Sequence, residues 1–240
     1  TELWSTDLAA GRFERLFPGQ LVTQQDIGKG GQLLAMVIEA DGKSRIWLAW
    51  PDNREPPKRV GNIEAATGRL GPTGEIVFPA LENGALQLFR TNVDGSTPQR
   101  FAGPSGNVLG GVSPDGLWVS DWLGGELRAF STNGAMPVVL FKGSVSRLRW
   151  TPDGSRALLA VQTGPGPSAF GFGHTYVLPL EPGSLLPRIP TGGFKTEAEI
   201  AAIPGVEVIP YGDVSFSPER GVYAFSKITV TRNLYRIPLR

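Results

Sequence analysis

Three arginines are the residues best suited to bind a ligand. Arg69, Arg147 and Arg149 each lie just before a five-residue stretch that recurs along the chain, so they occupy similar places in a repeat. A guanidinium group binds a carboxylate through two parallel hydrogen bonds, and three of them near one point would favour an anionic ligand. Asp26 and Asp213 precede two further copies and complete the candidate set. The more conservative interpretation is a solvated wall of paired charges.

Catalytic chemistry has few candidate residues. His174 is the one histidine, which excludes a two-histidine metal site and leaves a Ser-His-Asp triad a single base. It follows a glycine- and proline-rich stretch, where a solvated or hydrogen-bonded loop histidine is the more common state. The chain has no cysteine, no Gly-x-Ser-x-Gly elbow, no kinase motif and no phosphate-binding glycine loop before a helix. The sequence therefore predicts no catalysis, no metal site and no cofactor.

The recurring stretch predicts the elements that position these residues. It reads apolar, small, Pro, Asp, Gly, and its clearest copies are residues 112–116 and 150–154. An apolar strand follows each copy, and then come a turn and a second strand in which apolar and polar residues alternate. Weaker copies are found at residues 27–31, 70–74 and 216–220. Most copies are about forty residues apart, whereas the last step is longer.

Four short antiparallel strands in each repeat predict an all-β protein, a β-propeller with four-stranded blades. We expect five blades, or six if the natural protein extends upstream. Residues 1–240 are expected to form one domain, a fragment of a longer protein. Buried second strands are expected at residues 33–37, 117–119 and 158–161. Because the innermost strand of each blade lines the central channel, the candidate arginines are expected near its mouth.

Two segments depart from the repeat. The longer last step contains an insertion in which Thr196 and Glu199 have the spacing of a capping box, so one short helix is expected near 196–203. At the start of the chain, residues 3–8 and 12–17 resemble the outer two strands of a blade that lacks its inner strands. Propellers often close by pairing their terminal strands, and residues 12–17 are therefore predicted to pair with the last blade.

Two sets of residues are interpreted as structural. One acid follows the proline in three copies of the turn; these acids are Asp115, Asp153 and Glu219. An aspartate there bonds to nearby backbone amides, so we interpret them as turn caps and not as a ring of catalytic acids. Three tryptophans fall on apolar strand positions, namely Trp47, Trp118 and Trp150. Core packing between blades is expected for them in preference to carbohydrate stacking.

Composition limits the class of partner. Apolar residues make up 40% of the chain and charged residues 19%, as in a folded globular protein. The 32 glycines and 21 prolines suit many tight turns between short strands. The formal net charge is +1, without a long basic cluster or a long apolar run. The sequence therefore predicts neither nucleic-acid binding nor membrane insertion of this segment.

The Ser/Thr-Pro-Asp-Gly turn followed by an apolar strand resembles the TolB-type, WD-like propeller repeat. The closing segment, residues 222–239, is similar to the end of propellers attached to bacterial membrane-anchored serine/threonine kinases. This resemblance implies a module in the periplasm or at the cell surface that senses a protein or small-molecule ligand at the propeller face. Two rival functions remain open, a propeller that gates a peptidase or hydrolase and a structural subunit of a complex, because the fold alone does not select a function.

Overall fold

The computed structural model describes residues 2–7, 10–52, 55–163, 172–212, 214–216 and 222–225. Within these ranges the chain forms short antiparallel strands and one short α-helix. Four sheets of four strands follow one another along the chain, and each runs from an inner to an outer strand without a crossover. The predicted all-β propeller with four-stranded antiparallel blades is therefore confirmed.

The strands follow the chain in a simple order. The amino-terminal hairpin contains β1 (Trp4–Asp7) and β2 (Arg12–Arg15). Blade 1 contains β3 (Leu21–Ile27), β4 (Leu33–Ile38), β5 (Ser44–Ala49) and β6 (Lys58–Glu64). Blade 2 contains β7 (Arg69–Leu70), β8 (Ile76–Glu82), β9 (Ala85–Thr91) and β10 (Gln99–Ala102). Blade 3 contains β11 (Val108–Val112), β12 (Trp118–Leu123), β13 (Glu126–Ser131) and β14 (Val138–Lys142).

Blade 4 contains an insertion between its third and fourth strands. Its strands are β15 (Ser146–Trp150), β16 (Arg156–Gln162), β17 (Gly173–Pro179) and β18 (Glu207–Ile209), and the inserted helix α1 is Glu197–Ala201. Two further strands follow, β19 (Val214–Phe216) and β20 (Tyr223–Phe225), and they pair with each other.

The prediction of five or six blades was wrong for the described residues, which contain four complete blades. The long last step of the repeat leads from blade 4 to the β19–β20 sheet, and its extra length is the insertion between β17 and β18. A four-stranded blade needs about forty residues. After β18, the described chain supplies only the β19–β20 pair, which is half of a blade.

The amino-terminal hairpin packs on blade 1. Leu16 and Phe17 are buried with Val22 and Ala35 of that blade, and Leu3 packs against the same cluster. Strand β2 pairs with β1. Its predicted pairing with the last blade stays a prediction, because only β19 and β20 of that part of the chain are described.

The predicted helix is present and its amino-terminal cap is confirmed. The Thr196 hydroxyl accepts a hydrogen bond from the Glu199 N–H at 3.2 Å. The other half of the expected capping box is displaced by one residue, since the Glu199 carboxylate accepts from the Lys195 N–H at 2.7 Å. Two backbone donors at the start of this segment, the N–H groups of Lys195 and Glu199, are thus satisfied by nearby side chains.

The insertion of blade 4 covers the outer edge of blade 3. The Phe194 N–H donates to the Leu140 carbonyl at 2.9 Å, and the Lys142 N–H donates to the Phe194 carbonyl at 2.8 Å. The Phe194 side chain is 4% exposed in the core shared by blades 3 and 4. A strand edge paired in this way offers fewer free backbone groups for aggregation. The insertion therefore couples two neighbouring blades.

The recurring turn behaves as its sequence predicts. Asp115 accepts hydrogen bonds from the Ser113 hydroxyl and from the Leu117 N–H, the latter at 2.9 Å. Asp153 likewise accepts from the Thr151 hydroxyl at 2.6 Å and from the residue 155 N–H at 3.0 Å. The interpretation of these two acids as turn caps is confirmed. The third acid of the set, Glu219, lies outside the described residues.

The strands after these turns also agree with expectation, with one exception. Residues 33–37 lie in β4 and residues 158–161 in β16, and their apolar side chains are mostly buried. Strand β12 begins at Trp118, one residue later than predicted. Leu117 belongs to the turn and is 41% exposed. Its N–H is held by Asp115 and is thereby diverted from the strand.

The turn cap predicts a pH-dependent stability for Asp153→Ala. Hydrogen bonds from the Thr151 hydroxyl and from Ser155 lower the pKa of Asp153 from 3.8 to about 2. The variant should lose about 1 kcal/mol of unfolding free energy near neutral pH, the usual net value of such bonds. Because the folded-state pKa is lowered, this contribution is present above about pH 4 and declines as the pH falls towards about 2.

Urea unfolding of wild type and variant near neutral pH and near pH 2 measures this difference. Glu181→Ala is the matched control, because Glu181 is an exposed acid whose ion pair with Arg188 is also exposed. A stability difference for Asp153→Ala that does not shrink at low pH would contradict the turn-cap role.

Candidate functional site

The inner strands of the four blades meet around a polar cavity. Strands β3, β7, β11 and β15 are neighbours in this order. Between them lies a cavity of about 300 Å³. Its lining comes from all four blades and consists of Thr23, Gln24, Gln25, Ala66, Thr67, Arg69, Asn107, Leu109, Arg147 and Arg149. All three predicted arginines are therefore brought to one place.

Glycine on β11 brings blades 3 and 4 together at this cavity. A Cβ atom at Gly110 would lie 2.7 Å from the Leu148 carbonyl oxygen, which is too close for any side chain. The fully buried Ser120 hydroxyl donates to the same carbonyl at 2.6 Å and accepts from the Gly111 N–H at 3.0 Å. The two glycines and Ser120 therefore set the separation of the inner strands.

Arg69 holds three blades together from inside the cavity wall. It is 5% exposed. Its guanidinium donates to the carbonyls of Leu109 at 2.9 Å and of Gly110, both on β11. The Gln24 amide is oriented with its oxygen 2.9 Å from Arg69 Nη2 and its nitrogen 2.6 Å from the Thr67 hydroxyl. Arg69 therefore supplies positive charge to the cavity while several of its N–H groups bind the protein.

Arg147 and Arg149 reach the cavity from β15. They are two residues apart on one strand, so their side chains lie on the same face of blade 4. Both are half-buried and line the cavity. Arg149 also lies near β19, with its Nη1 atom 3.5 Å from the Ser215 hydroxyl. These two arginines are placed where a ligand entering the cavity would meet them.

Asp26 lies beside the arginines on β3. Its carboxylate accepts a hydrogen bond from the Leu70 N–H at 2.8 Å, which links blade 1 to blade 2. Burial raises the pKa of Asp26, and this rise is opposed by the charge of Arg69, the Leu70 N–H and the charge of Arg149. Asp213, the second predicted acid, lies outside the described residues.

Sequence reasoning did not include several neutral polar residues of the cavity. These are Thr23, Gln25, Thr67 and Asn107. Thr23 and Gln25 are two residues apart on β3, as Arg147 and Arg149 are on β15. A two-residue alternation that includes the predicted Asp26 on β3 passes over Thr23 and Gln25, so the sequence pattern alone gives no signal for them.

His174 belongs to a different part of the molecule. It lies on β17, the third strand of blade 4, and its Nδ1 atom is 3.0 Å from a Glu197 carboxylate oxygen of α1. The Tyr176 hydroxyl donates to the same oxygen at 2.6 Å. Burial and the Glu197 carboxylate raise the pKa of Tyr176. This hydrogen-bonded histidine joins the inserted helix to its blade.

The part of the chain that the structure describes contains no group of three or more His, Asp or Glu side chains arranged to hold a metal ion. None of its helices has the length and apolar character needed to cross a membrane.

No protein-family model matches the sequence, and no curated protein does either. The structure is similar to TolB from Acinetobacter baumannii, with 19% identity and a TM-score of 0.55 over 72% of this chain. It is also similar to a protein assigned as TolB from Agrobacterium tumefaciens, with 16% identity and a TM-score of 0.55 over 79% of this chain. The fold is that of a TolB-type β-propeller.

The similar region makes up a different share of each of these relatives. This propeller spans 45% of the Acinetobacter TolB chain and 70% of the Agrobacterium chain. A puromycin hydrolase variant is similar at 13% identity, with a TM-score of 0.50, over 70% of this chain and 28% of its own. Identities at this level establish the fold, and function has to be argued from the site itself.

The geometry of Arg69 predicts a large structural effect for Arg69→Met. Methionine keeps much of the aliphatic volume but leaves the Leu109 and Gly110 carbonyls without their charged donor. Hydrogen bonds to charged groups contribute strongly, so unfolding free energy should fall by about 2–4 kcal/mol. Thermal or urea unfolding measures the loss.

Arg100→Met is the control for this experiment. Arg100 is an exposed arginine on β10 in an ion pair with Glu82 at 2.6 Å. Its replacement should change stability by less than about 1 kcal/mol. Equal effects of the two substitutions would show that Arg69 does not connect the blades.

Proposed function

We propose that this propeller is a non-catalytic binding module that recognises an anionic group of a protein or small-molecule ligand at the mouth of its channel. The observation that carries this proposal is the convergence of Arg69, Arg147 and Arg149 on one cavity. The other residues that line the described part of this cavity are neutral. Asp26 stands beside them and balances part of their charge.

The division of labour among the arginines supports the proposal. Arg69 is buried and binds backbone carbonyls, so it acts chiefly as fixed positive charge. Arg147 and Arg149 are half-buried and stand on one face of β15, where they can turn towards a ligand carboxylate. Charge-assisted hydrogen bonds are shorter and stronger than neutral ones, and two adjacent arginines can bind both oxygens of one carboxylate.

Neutral donors around the arginines would complete the recognition. Thr23, Gln25 and Asn107 add a hydroxyl and two amides to the cavity wall. Such groups fix the orientation of a ligand after the charges have attracted it. A cavity of about 300 Å³ suits an acidic side chain or a small carboxylic acid better than a polyanion. The net charge of +1 also disfavours nucleic acid as the partner.

The sequence resemblance supports a sensor role outside the cytoplasmic membrane. The turn motif and closing segment are similar to those of propellers attached to bacterial membrane-anchored kinases, and we propose the same arrangement here. The propeller would then lie outside the cytoplasmic membrane as the sensor of a signalling protein. The identity of the protein chain joined to it is the observation that tests this role.

A second candidate function is the gating of a hydrolase. Its support is the structural similarity to puromycin hydrolase, of which this propeller matches 28%. In that case binding at the channel would select substrates for a separate catalytic domain. Turnover of ester or peptide substrates by the purified chain, lost in His174→Ala, would contradict the non-catalytic proposal.

Replacement of both Arg147 and Arg149 by alanine tests the binding site. The probes are succinate and a short synthetic peptide rich in aspartate and glutamate, measured by isothermal titration calorimetry at low ionic strength. Loss of two charged donors should weaken binding at least about tenfold, since each is worth about 1.5 kcal/mol or more. The melting temperature should change little, because both arginines are half-buried and lie at the wall of a cavity.

Arg100→Ala with Arg188→Ala is the matched control, because it removes the same charge from exposed sites outside the cavity. Asp26→Asn should act in the opposite direction and strengthen anion binding, since it removes a negative charge that competes for the arginines. Equal weakening by both arginine pairs would indicate a non-specific charge effect and would overturn the proposed site.

A further inference from the structure

A second cavity of about 640 Å³ lies on blade 1. It is separate from the channel cavity, which is the one lined by Arg69, Arg147 and Arg149. It is found where β3 begins and where the turn between β4 and β5 closes. Its wall includes Gln20, Leu21, Ile38, Glu39, Trp47 and Arg59. None of these residues lines the channel cavity. The two cavities are therefore separate features of the molecule.

A carboxylate is held in a fixed orientation in this cavity. Glu39 Oε1 accepts a hydrogen bond from the Trp47 indole N–H at 3.0 Å. Glu39 Oε2 accepts from Arg59 Nη1 at 3.2 Å. Trp47 and Arg59 are directly opposite each other on β5 and β6, so the sheet register places both donors beside Glu39. The opposite charges of Glu39 and Arg59 balance, which makes the cavity neutral overall.

An aromatic wall adjoins this polar group. Trp47 is half-buried and lines the cavity, and it packs against the cluster that blade 1 forms with the amino-terminal hairpin, whereas packing between two blades was predicted. Phe17 supports it in an edge-to-face contact, with ring centroids 6.5 Å apart and an interplanar angle of 87°. Leu21, which is 46% exposed, and Ile38 extend the apolar surface. The indole is therefore both rigid and in contact with the cavity.

We propose that this cavity binds a neutral saccharide. A sugar ring has an apolar C–H face that packs on an aromatic ring, and hydroxyl groups around its rim that donate and accept hydrogen bonds. Each Glu39 oxygen keeps a second lone pair for a hydroxyl donor, and the partly exposed Arg59 has further N–H groups for a hydroxyl acceptor. The Gln20 amide offers both functions.

Charge and size narrow the ligand class. Glu39 and Arg59 form an ion pair at 3.2 Å, so their charges largely cancel and the cavity attracts neither a free anion nor a free cation by net charge. A neutral ligand with many hydroxyl groups does not depend on such attraction. The volume of about 640 Å³ lies within the usual range for small-ligand sites and accommodates one or two sugar rings.

The test is a titration of the whole chain with three disaccharides, namely maltose, cellobiose and N,N′-diacetylchitobiose. Saturation-transfer NMR detects contact, and calorimetry up to about 10 mM sugar measures affinity in the range of weak sites. At least one disaccharide should bind. Arg59→Met and Glu39→Gln should each lower its affinity by about tenfold, as expected when one charged hydrogen-bonding group is removed.

Two controls separate the site from other effects. Arg100→Met removes an equivalent exposed arginine from β10, the outer strand of blade 2, and should leave sugar binding unchanged. The double alanine variant of Arg147 and Arg149 should also retain it, because those residues line only the channel cavity. Unfolding curves verify that each variant is folded, and Arg59 and Glu39 are sufficiently exposed for replacement to be tolerated.

Trp47→Phe is a further variant, and it keeps an aromatic ring at this position. It removes the indole N–H that orients Glu39 and should give a smaller loss of affinity than Arg59→Met. Absence of binding by all three disaccharides would overturn the proposal. Binding that survives both Arg59→Met and Glu39→Gln, or that falls equally in Arg100→Met, would overturn it as well.

Discussion

The close approach of the inner strands is the constraint on which the other features of this propeller depend. Gly110 has no room for a side chain, because the Leu148 carbonyl of the next blade occupies the space where a Cβ atom would stand. Ser120 bonds to the same carbonyl, and Arg69 bonds to the β11 backbone from the neighbouring blade. Because buried polar groups must be paired, these contacts leave little freedom in how the blades are spaced. The channel cavity exists only as a consequence of that spacing.

The three arginines of the cavity differ in how far the fold itself uses them, and the two on β15 are those proposed to meet a ligand. Arg69 is buried and committed to carbonyl groups, whereas Arg147 and Arg149 keep access to the cavity. Burial raises the pKa of Asp26, whereas the charge of Arg69 and the hydrogen bond from the Leu70 N–H oppose that rise. A fixed positive field surrounded by neutral donors is the arrangement expected for anion recognition, because its dipoles are already oriented before a ligand arrives.

The proposed saccharide cavity illustrates that one propeller can carry two independent sites. In blade 1, the register of β5 and β6 places Trp47 opposite Arg59, and the preceding turn adds Glu39 between them. The sites differ in electrostatic character, since one has excess positive charge and the other contains a balanced ion pair. Fold similarity to TolB-type propellers bears on neither site, because binding depends on particular side chains and the identities are below 20%.

Local interactions explain what the sequence by itself determined. The Pro-Asp-Gly turns, the caps at Asp115 and Asp153 and the alternating strands all depend on residues within about five positions of one another, so the printed sequence predicts them. The Thr196 cap is equally local. The period of the repeat then indicates a propeller, and the pattern places polar residues such as Arg147 on inner strands.

Long-range packing decided the number of complete blades and the contacts between residues that are distant in the sequence. The last copy of the repeat predicts a fifth blade, but the described residues after β18 form only the two-stranded β19–β20 sheet. The hydrogen bonds from Arg69 to the β11 carbonyls join residues that are 40 and 41 positions apart in the chain. Arg59 likewise meets Glu39 across 20 positions. Such contacts depend on which surfaces meet after the strands have folded, and a one-residue change of register would alter all of them.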